Sequence, residues 1–270
     1  MNLIDFEYDG TKLTDMNMSV TSFDDPYDEQ SIGNEIEITS VKGQFADEYF
    51  AAGYQYSNPF QLEFDITKYN CDDFEDFIIS DTELNKLMRW LNRKGYYKFK
   101  PIHDDGSFSD IYYMATFNVS LLKASGLLVG LHLTMDCNAP YGYLETETFE
   151  HEFNSDTYTI EDESDEVGWI YCKATITCKS AGDLQITNSL DSNYVTTIKN
   201  CKADEVITMS GRTKIIETSM DSHTKLANDF NFNFLRIKNT YSDNKNVFST
   251  NLPCTIKFEY NPIKKVGIIV

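Results

Sequence analysis

The chain has 270 residues, of which 41% are hydrophobic and 14% aromatic, enough to build the cores of two ordinary β-rich domains. Its 43 acidic and 23 basic residues give a formal net charge of -20. This charge argues against a sequence-independent nucleic-acid binder and against a protein that docks on an anionic membrane.

The N-terminal segment predicts a hairpin followed by a loop. Alternating residues from Phe6 to Tyr8 lead into Asp9-Gly10, a dipeptide typical of tight hairpin turns. A second strand is expected from Met18 to Phe23. The acid-, glycine- and serine-containing segment from Asp24 to Asn34 predicts a loop.

An extended hairpin arm is predicted at about residues 35–57. The segment from Glu35 to Val41 has the pattern of a strand, and Lys42-Gly43 has that of a turn. The segment from Phe45 to Tyr56 is rich in aromatic residues. Such an arm offers a large apolar contact area with few rotatable bonds to order on binding.

A one-sided strand and a helix follow the arm. The strand is indicated by the alternation of apolar and acidic residues from Leu62 to Ile66. Ser80 and Glu83 have capping-box spacing at the start of a helix predicted at about 81–94, with Gly95 as its stop. The apolar stripe of this helix consists of Leu84, Leu87, Met88 and Leu91. Trp90 lies off that stripe and is expected to pack sideways or against a neighbour.

Two long strands are expected on either side of a turn at Ser125-Gly126. The first places Tyr113, Ala115, Phe117, Val119 and Leu121 on one face, and the second places Leu127, Val129, Leu131, Leu133, Met135 and Cys137 on one face. The break at Asn138–Gly142 predicts a boundary between a first domain, 1–140, and a second domain, 146–270.

The second domain is predicted to be an antiparallel β-sandwich. The acidic segment from Glu145 to Glu166 is expected to be a linker that leads into a first short strand. The clearest strand points Ile170, Cys172, Ala174, Ile176 and Cys178 inward. Further short strands are expected near 183–187, 194–199, 206–208, 214–217, 231–238 and 254–260.

The sequence contains no recognisable catalytic or metal-binding motif. His151-Glu152 begins like the metalloprotease motif HExxH, but Ser155 stands where the second histidine is required. The acidic loops at 104–107 and 156–166 lack the spacing of an EF-hand. With 43 acidic residues, carboxylate pairs arise by abundance alone and do not indicate a glycosidase.

The six cysteines are expected to be reduced thiols, mostly in the core. No CxxC pair is present. Cys172 and Cys178 are six residues apart on one predicted strand, roughly 20 Å, which is too far for a disulfide or a shared zinc ion. Tyrosines are also of the type that stacks on sugar rings, although in β-rich chains they are more often core or cross-strand residues. The tyrosines in question are Tyr96, Tyr97, Tyr112, Tyr113, Tyr141 and Tyr143.

Short motifs occur along nearly the whole chain. In the first domain they are FEYDG (6–10) with SFD (22–24), VKGQ (41–44), PFQLEF (59–64), RWL (89–91), IYYMA (111–115), GLHLTM (130–135) and APY (139–141). In the second they are NDF (228–230), FLRI (234–237), NKN (244–246) and IKFEY (256–260). By their order and spacing the chain resembles the distal tail proteins of long-tailed phages that infect Gram-positive bacteria. Two positions depart from that pattern: Phe45-Ala46-Asp47 replaces a glycine expected after Gly43, and Leu235 replaces the usual proline after Phe234.

The resemblance implies a mainly β protein of two domains: an N-terminal β-sandwich with one α-helix and an extended β-hairpin arm, and a C-terminal galectin-like antiparallel β-sandwich. It implies a homo-hexameric ring at the distal end of the tail. Such a ring joins the major tail tube protein to the tail-tip or baseplate proteins and the receptor-binding protein, with a lumen for the tape-measure protein and, in passage only, DNA. The residues expected at the subunit interface are Val41, Gly43, Phe45, Tyr49, Phe50, Tyr54 and Tyr56.

The resemblance also implies that the protein is no enzyme and has no cofactor, metal or membrane partner. Residues 1–5 lack the start of a signal peptide, and no stretch has the length of a membrane span. The protein is therefore expected to be made in the cytoplasm of the host and to reside at the tail tip of the virion. Two alternatives stay open: a module in which 146–270 binds cell-wall carbohydrate on exposed tyrosines, and a glycan hydrolase, for which no motif is present.

Overall fold

A computed structural model of the chain describes residues 2–21, 35–43, 48–68 and 77–268. The chain divides into two compact units: Met1–Tyr143 with Lys264–Val270, and Leu144–Ile263. The expected class, a mainly β protein of two domains with few helices, is confirmed. In the described ranges, no helix is long and apolar enough to cross a membrane.

The last residues of the chain differ from the expected division, which placed 146–270 in the second domain. The segment from Lys264 returns to the first unit. It packs closely there, because a Cβ on Gly267 would come within 2.9 Å of the side chains of Ile111 and Tyr113. The chain therefore crosses between the units twice.

The first unit has one α-helix and ten strands in its described part. They are β1 (Leu3–Tyr8), β2 (Thr11–Lys12), β3 (Met18–Thr21), β4 (Ile36–Lys42), β5 (Tyr49–Tyr56), β6 (Gln61–Lys68), α1 (Asp81–Leu91), β7 (Tyr97–His103), β8 (Ile111–Ala124), β9 (Leu127–Cys137) and β10 (Gly142–Leu144). Seven strands form an antiparallel sheet in the order β2-β1-β7-β8-β9-β6-β3, and β10 pairs with β8. Because β3 contacts β1, this sheet curls around its inner face.

The core of the first unit is aromatic, because alternate residues of several strands point inward. The rings of Phe6, Phe64, Phe99 and Phe117 lie with centroids between 5.1 and 6.5 Å apart. The predicted one-sided strand is confirmed in β6, where the apolar residues from Leu62 to Ile66 are buried.

Helix α1 begins as the sequence predicts but ends earlier. The Ser80 hydroxyl accepts a hydrogen bond from the backbone N–H of Glu83, and the Glu83 carboxylate accepts one from the N–H of Ser80. The helix ends at Leu91 rather than 94. Asn92 leaves the helical conformation, and its side-chain amide donates to the carbonyl of Phe117 at 3.2 Å.

Trp90 lies in the core, so the prediction that it packs off the buried stripe is wrong. Its indole stacks on Phe6 with centroids 5.7 Å apart, and Nε1 donates to the carbonyl of Tyr8 at 3.0 Å. Leu87 and Leu91 are buried beside it. The buried face of α1 is centred on the indole because an aromatic core receives it.

The far end of the β8–β9 hairpin leaves the core. The predicted inward face holds from Tyr113 to Phe117, but Leu121 and Leu127 are exposed. Ser125 and Gly126 both have positive φ and form the predicted turn. The pairings of β8 with β7 and of β9 with β6 stop short of this turn, and no other strand in the described part of the chain pairs with it.

The second unit is an antiparallel sandwich, as predicted. Its described elements are β11 (Glu147–Phe153), β12 (Thr157–Glu161), β13 (Gly168–Tyr171), β14 (Lys173–Cys178), β15 (Gly182–Asn188), β16 (Thr196–Cys201), β17 (Val206–Ser210), β18 (Ile215–Thr218), α2 (Leu226–Asp229), β19 (Arg236–Asn239), β20 (Lys245–Thr250) and β21 (Cys254–Tyr260). The last strand, β22 (Ile263–Lys264), is not part of this sandwich and pairs with β10. The two sheets have the orders β11-β21-β14-β17-β18 and β12-β20-β15-β16, and β13 and β19 form a separate ribbon. Phe248 and Phe258 meet between the sheets with ring centroids 4.7 Å apart. The likeness to galectins stays a prediction.

The acidic segment 145–166 is not mainly a linker, as the sequence suggested, but supplies β11 and β12. β11 pairs with β21, and β12 pairs with β20. Phe153 and Ile160 are buried, whereas most of the carboxylates face solvent. Both strands lie at sheet edges, where charge discourages pairing with other chains.

The strand predicted across 170–178 is divided between two sheets. The division falls at Cys172, whose N–H donates to the carbonyl of Leu235 and whose carbonyl accepts from the N–H of Gly211. The predicted inward face is confirmed, since Cys172, Ala174, Ile176 and Cys178 are buried.

β20 lies where the sequence predicted no strand, because polar residues dominate it. Asn246 within it is fully buried. Its Nδ2 donates to the carbonyls of Lys238 and Asn244 at 3.0 and 2.9 Å. Its Oδ1 accepts from the N–H of Lys238 and from the amide of Asn188, both at 2.8 Å. This side chain joins β19, β20 and β15.

Candidate subunit interface

β4 and β5 form a separate hairpin, the arm, whose described residues are 35–43 and 48–57. Within the described chain these strands pair with each other and join no other sheet. The N–H of Ser57 donates to the carbonyl of Glu35 at the base, and that of Gly43 donates to Glu48 near the tip, both at 3.0 Å. A two-stranded hairpin is marginally stable in water by itself. An arm of this kind is therefore expected to be stabilised by a surface on which it packs.

The register of the arm places apolar residues together on one side, its front face. Opposite residues of an antiparallel pair point to the same side of the sheet. Ile36 pairs with Tyr56, and Ile38 pairs with Tyr54. Ile36, Ile38 and Tyr54 are 55%, 54% and 69% exposed, and Tyr56 is half-buried. The base of the arm thus has one apolar side that the described chain leaves largely open.

The opposite side of the arm, its back face, changes character along its length. Near the base, Glu37 pairs with Gln55, whose amide donates to the Glu37 carboxylate at 2.8 Å, and Thr39 lies next to them. Near the tip, Val41 pairs with Phe50, and both are more than half exposed. Tyr49, paired with Lys42, adds an exposed ring to the front of the tip. The tip is therefore apolar on both sides, and the base on one side.

This pattern is the one expected of a binding surface. A contiguous exposed apolar patch on a soluble protein marks an interaction surface. A base with one apolar side lies flat on a partner, whereas a tip with two apolar sides is suited to a cleft. Tyrosine and phenylalanine are favoured anchors at interfaces because they bring large area with few rotors.

The residues expected at the interface lie on the arm, with one outside the described residues. Val41, Gly43, Tyr49, Phe50, Tyr54 and Tyr56 belong to β4, β5 or the turn that follows β4. Phe45 lies outside the residues that the structure describes. Gly43 sits under the Phe50 ring, where an added Cβ would come within 2.9 Å of that ring. Their contact with another subunit stays a prediction.

Sequence reasoning missed Ile36 and Ile38, which share the front face with the tyrosines. The signal was present, because isoleucines alternate with Glu37 and Thr39 in β4. The apolar front face comes from both strands of the arm.

The tyrosines considered for sugar stacking do not form one exposed surface. Tyr113 is buried, and the guanidinium of Arg93 covers the ring of Tyr97 at 3.8 Å. Tyr112, Tyr141 and Tyr143 pack in a row, with ring centroids 5.6 and 5.7 Å apart. Only Tyr96, 50% exposed, stands out to solvent among these six.

The described cysteines have the expected character. Cys137, Cys172, Cys178, Cys201 and Cys254 are buried free thiols, and Cys71 lies outside the described residues. Burial raises the pKa of the Cys254 thiol to about 11 and that of Cys172 further still. Protonated thiols are poor nucleophiles and poor metal ligands.

The histidine of the incomplete HExxH motif makes local contacts. His151 Nε2 lies 2.8 Å from the Asp156 carboxylate, and its ring stacks on Tyr158 with centroids 4.6 Å apart. Across the described residues, no three side chains of histidine, cysteine, aspartate or glutamate form a group that could hold a metal ion.

Two family profiles match the chain in succession. That of a phage tail protein N-terminal domain matches residues 1–139, and that of a phage tail C-terminal domain matches residues 141–260. The chain belongs to this family of phage tail proteins. The sequence resemblance to phage tail proteins is thereby confirmed.

Two solved structures are similar to this phage tail protein. The SPP1 Dit protein (gp 19.1), described as a paradigm of the hub adsorption apparatus in phages that infect Gram-positive bacteria, has 14% identity and a TM-score of 0.64, covering 96% of this chain and 99% of its own. A chain of the phage P2 baseplate, in its activated conformation with Ca, has 9% identity and a TM-score of 0.49, covering 100% of both chains. No curated protein sequence matches. The chain thus shares the fold of the SPP1 Dit protein.

Proposed function

We propose that this phage tail protein is a structural subunit that forms a hexameric ring at the distal end of the tail. The ring joins the tail tube to the tip or baseplate and to the receptor-binding proteins. The observation that carries this proposal is the arm, whose apolar residues are exposed on both sides of the tip and on the front of the base. A second copy of the chain is the partner it needs.

The arm suits a ring rather than a two-fold dimer. A hairpin that extends from one subunit to a different surface on the next makes a head-to-tail contact, and such contacts close into rings when their rotation permits. The first domain, 1–140, supplies the arm and the surface that receives it. The likeness of the fold to the SPP1 hub protein supports this arrangement.

The remaining partners follow from that position. A distal ring contacts the major tail tube protein on one side and a tail-tip protein on the other. Its lumen admits the tape-measure protein and, in passage, DNA. The net charge of -20 suits a channel through which a polyanion passes without adhering. The protein is made in the host cytoplasm, is incorporated at the tail tip, and carries out no reaction.

Sizing of the full chain and of an arm-deleted variant tests the proposal. The intact chain of 31.0 kDa should assemble into particles of about 186 kDa, the mass of a ring of six. Deletion of Phe45–Tyr54 should leave a folded monomer, with an unchanged far-ultraviolet circular dichroism shape as the control for folding. A deletion variant that still forms hexamers would refute the role of the arm.

A further inference from the structure

The ribbon β13–β19 of the second unit presents aromatic and cationic side chains on one side. Trp169 pairs with Lys238, and Tyr171 pairs with Arg236, so these four side chains share the outer face. Ile237, on the other side, is fully buried in the core of the unit. Trp169 is 54% exposed. We name the four outer residues, with Lys214, the platform.

The cations of the platform lie against its aromatic rings. The Arg236 guanidinium is 4.7 Å from the centroid of Trp169, and Lys238 Nζ is 5.8 Å from it. Lys214 Nζ is 3.5 Å from the centroid of Tyr171. Cation–π contacts at these distances hold the charges in place. Lys214 is exposed and Lys238 is half-buried, whereas the Arg236 side chain is only 14% exposed.

The platform is held in its geometry by the surrounding structure. Asp191 accepts a hydrogen bond from Arg236 Nε at 2.6 Å, and the carbonyl of Leu190 accepts one from Lys238 Nζ at 2.9 Å. Gly211 supports Tyr171 so closely that an added Cβ would come within 2.4 Å of its ring. A surface built with these constraints loses little freedom when a ligand binds.

The platform is positive on a strongly negative chain. It carries three cations, and Asp191 is the carboxylate paired with Arg236. Among the described residues, neither Lys214 nor Lys238 has a carboxylate within ion-pair distance. Burial would raise the pKa of Tyr171, but hydrogen bonding to Arg236 and the charge of Lys214 outweigh it, so that this pKa is lowered. The local potential therefore favours anions although the whole chain repels them.

We infer that the platform binds an anionic saccharide polymer, with a sugar ring stacked on Trp169 and its carboxylate or phosphate groups on Lys214 and Lys238. A flat ribbon face suits an extended chain better than a small molecule, because small ligands are buried in concave pockets. A rigid sugar ring offers an apolar face and a fixed charge together. An acidic peptide instead has to order flexible side chains before it can present its charges.

Binding of defined polymers to the full-length protein tests this inference. The probes are polygalacturonate as a carboxylated polysaccharide, phosphomannan as a phosphorylated one, neutral dextran, and poly-L-glutamate as an anion without sugar. We expect one or both anionic polysaccharides to bind at least tenfold more tightly than dextran and poly-L-glutamate. Their affinity should fall as salt is raised, because exposed charges are screened.

Matched variants locate the site. Trp169→Ala, and the double variant Lys214→Met with Lys238→Met, should each weaken binding at least tenfold. The controls Phe232→Ala, another exposed ring of the same unit, and Lys245→Met, an exposed lysine paired with Glu161, should change it less than twofold.

Three results would overturn the inference: no binding of either anionic polysaccharide, unchanged affinity of Trp169→Ala, or poly-L-glutamate binding as tightly as the sugars. The last outcome would reassign the platform to an acidic protein partner. Circular dichroism of each variant separates loss of binding from loss of folding.

Discussion

The two faces of the arm predict different effects from neighbouring substitutions. Tyr54→Ser removes an anchor from the front face, and Phe50→Ser removes one from the back of the tip. Thr39→Ala alters the polar back of the base, which should face solvent. We expect the first two substitutions to weaken the ring and the third to leave it unchanged.

The size of the effect follows from exposure. Tyr54 is 69% exposed, and a tyrosine offers about 200 Å² for burial, so roughly 140 Å² is available to a partner. At about 25 cal/mol per Å² this corresponds to about 3.5 kcal/mol as an upper limit. The ordering of the side chain and the desolvation of its hydroxyl group offset part of this free energy, which leaves about 2 kcal/mol for each contact. The substitution should then raise the dissociation constant of each subunit contact about 30-fold.

Mass photometry over a dilution series measures this change directly. The ring of Tyr54→Ser or Phe50→Ser should dissociate at a protein concentration at least 30-fold above that of the unsubstituted chain. All variants should keep the same melting temperature as monomers, since the arm contributes little to either core. If Thr39→Ala weakened the ring as much as Tyr54→Ser, the assignment of faces would be wrong. A chain that is monomeric without any substitution would instead refute the ring.

Three further predictions concern stability, measured by chemical denaturation. Asn246→Ala leaves several buried hydrogen-bonding groups without a partner and should lower the free energy of unfolding by about 2–4 kcal/mol. The control Asn193→Ala, at an exposed position, should lower it by less than about 0.5 kcal/mol. Equal losses in the two variants would contradict the role of Asn246. Trp90→Phe loses the indole hydrogen bond and part of the core volume and should cost about 1–3 kcal/mol, and a neutral result would mean that the core closes without the indole. Burial would raise the pKa of Glu83, but hydrogen bonds from Lys68 and Ser80 lower it to about 2. The ionised carboxylate therefore adds to the free energy of unfolding above about pH 4.5, and this stabilisation is lost as the pH falls toward 2. Because Glu83 is 42% exposed, screening reduces that contribution to about 1 kcal/mol, and Glu83→Gln should remove this part of the pH dependence.

Much of the fold was predictable where residue pattern and burial agree. The alternation from Leu62 to Ile66 and the capping box of Ser80 and Glu83 each specify one local structure, and the structure has both. The turn at Asp9-Gly10 is of the same kind, since both residues have positive φ. These signals are local, so tertiary packing does not alter them.

The failures came where tertiary context decides. Nothing in the sequence of α1 shows that its indole meets an aromatic core, which turns the buried face toward Trp90. β20 was missed because Asn246 looks like a loop residue, yet four hydrogen bonds satisfy it inside the core. The acidic segment that was expected to be a linker forms strands β11 and β12 instead, and their charge is consistent with their position at sheet edges.

The arm was predictable from the sequence, whereas the arrangement of its two faces was not, and its role as an interface stays a prediction. Aromatic residues between Phe45 and Tyr56 predicted the arm as the interface, and Tyr49, Phe50 and Tyr54 are exposed in the structure. The division into a front and a back face depends on register, including the shift between Thr39 and Ser40. Register between two strands cannot be read when the residues of the turn do not fix it. The sequence does not indicate the platform, because its residues are brought together from three separate segments.

Negative-stain electron microscopy of the purified full-length protein tests the central claim most directly. Class averages viewed along the axis should show closed rings of six subunits around an open centre. Isolated subunits or open chains at micromolar concentration would contradict the proposal that the arm of each copy joins it to the next.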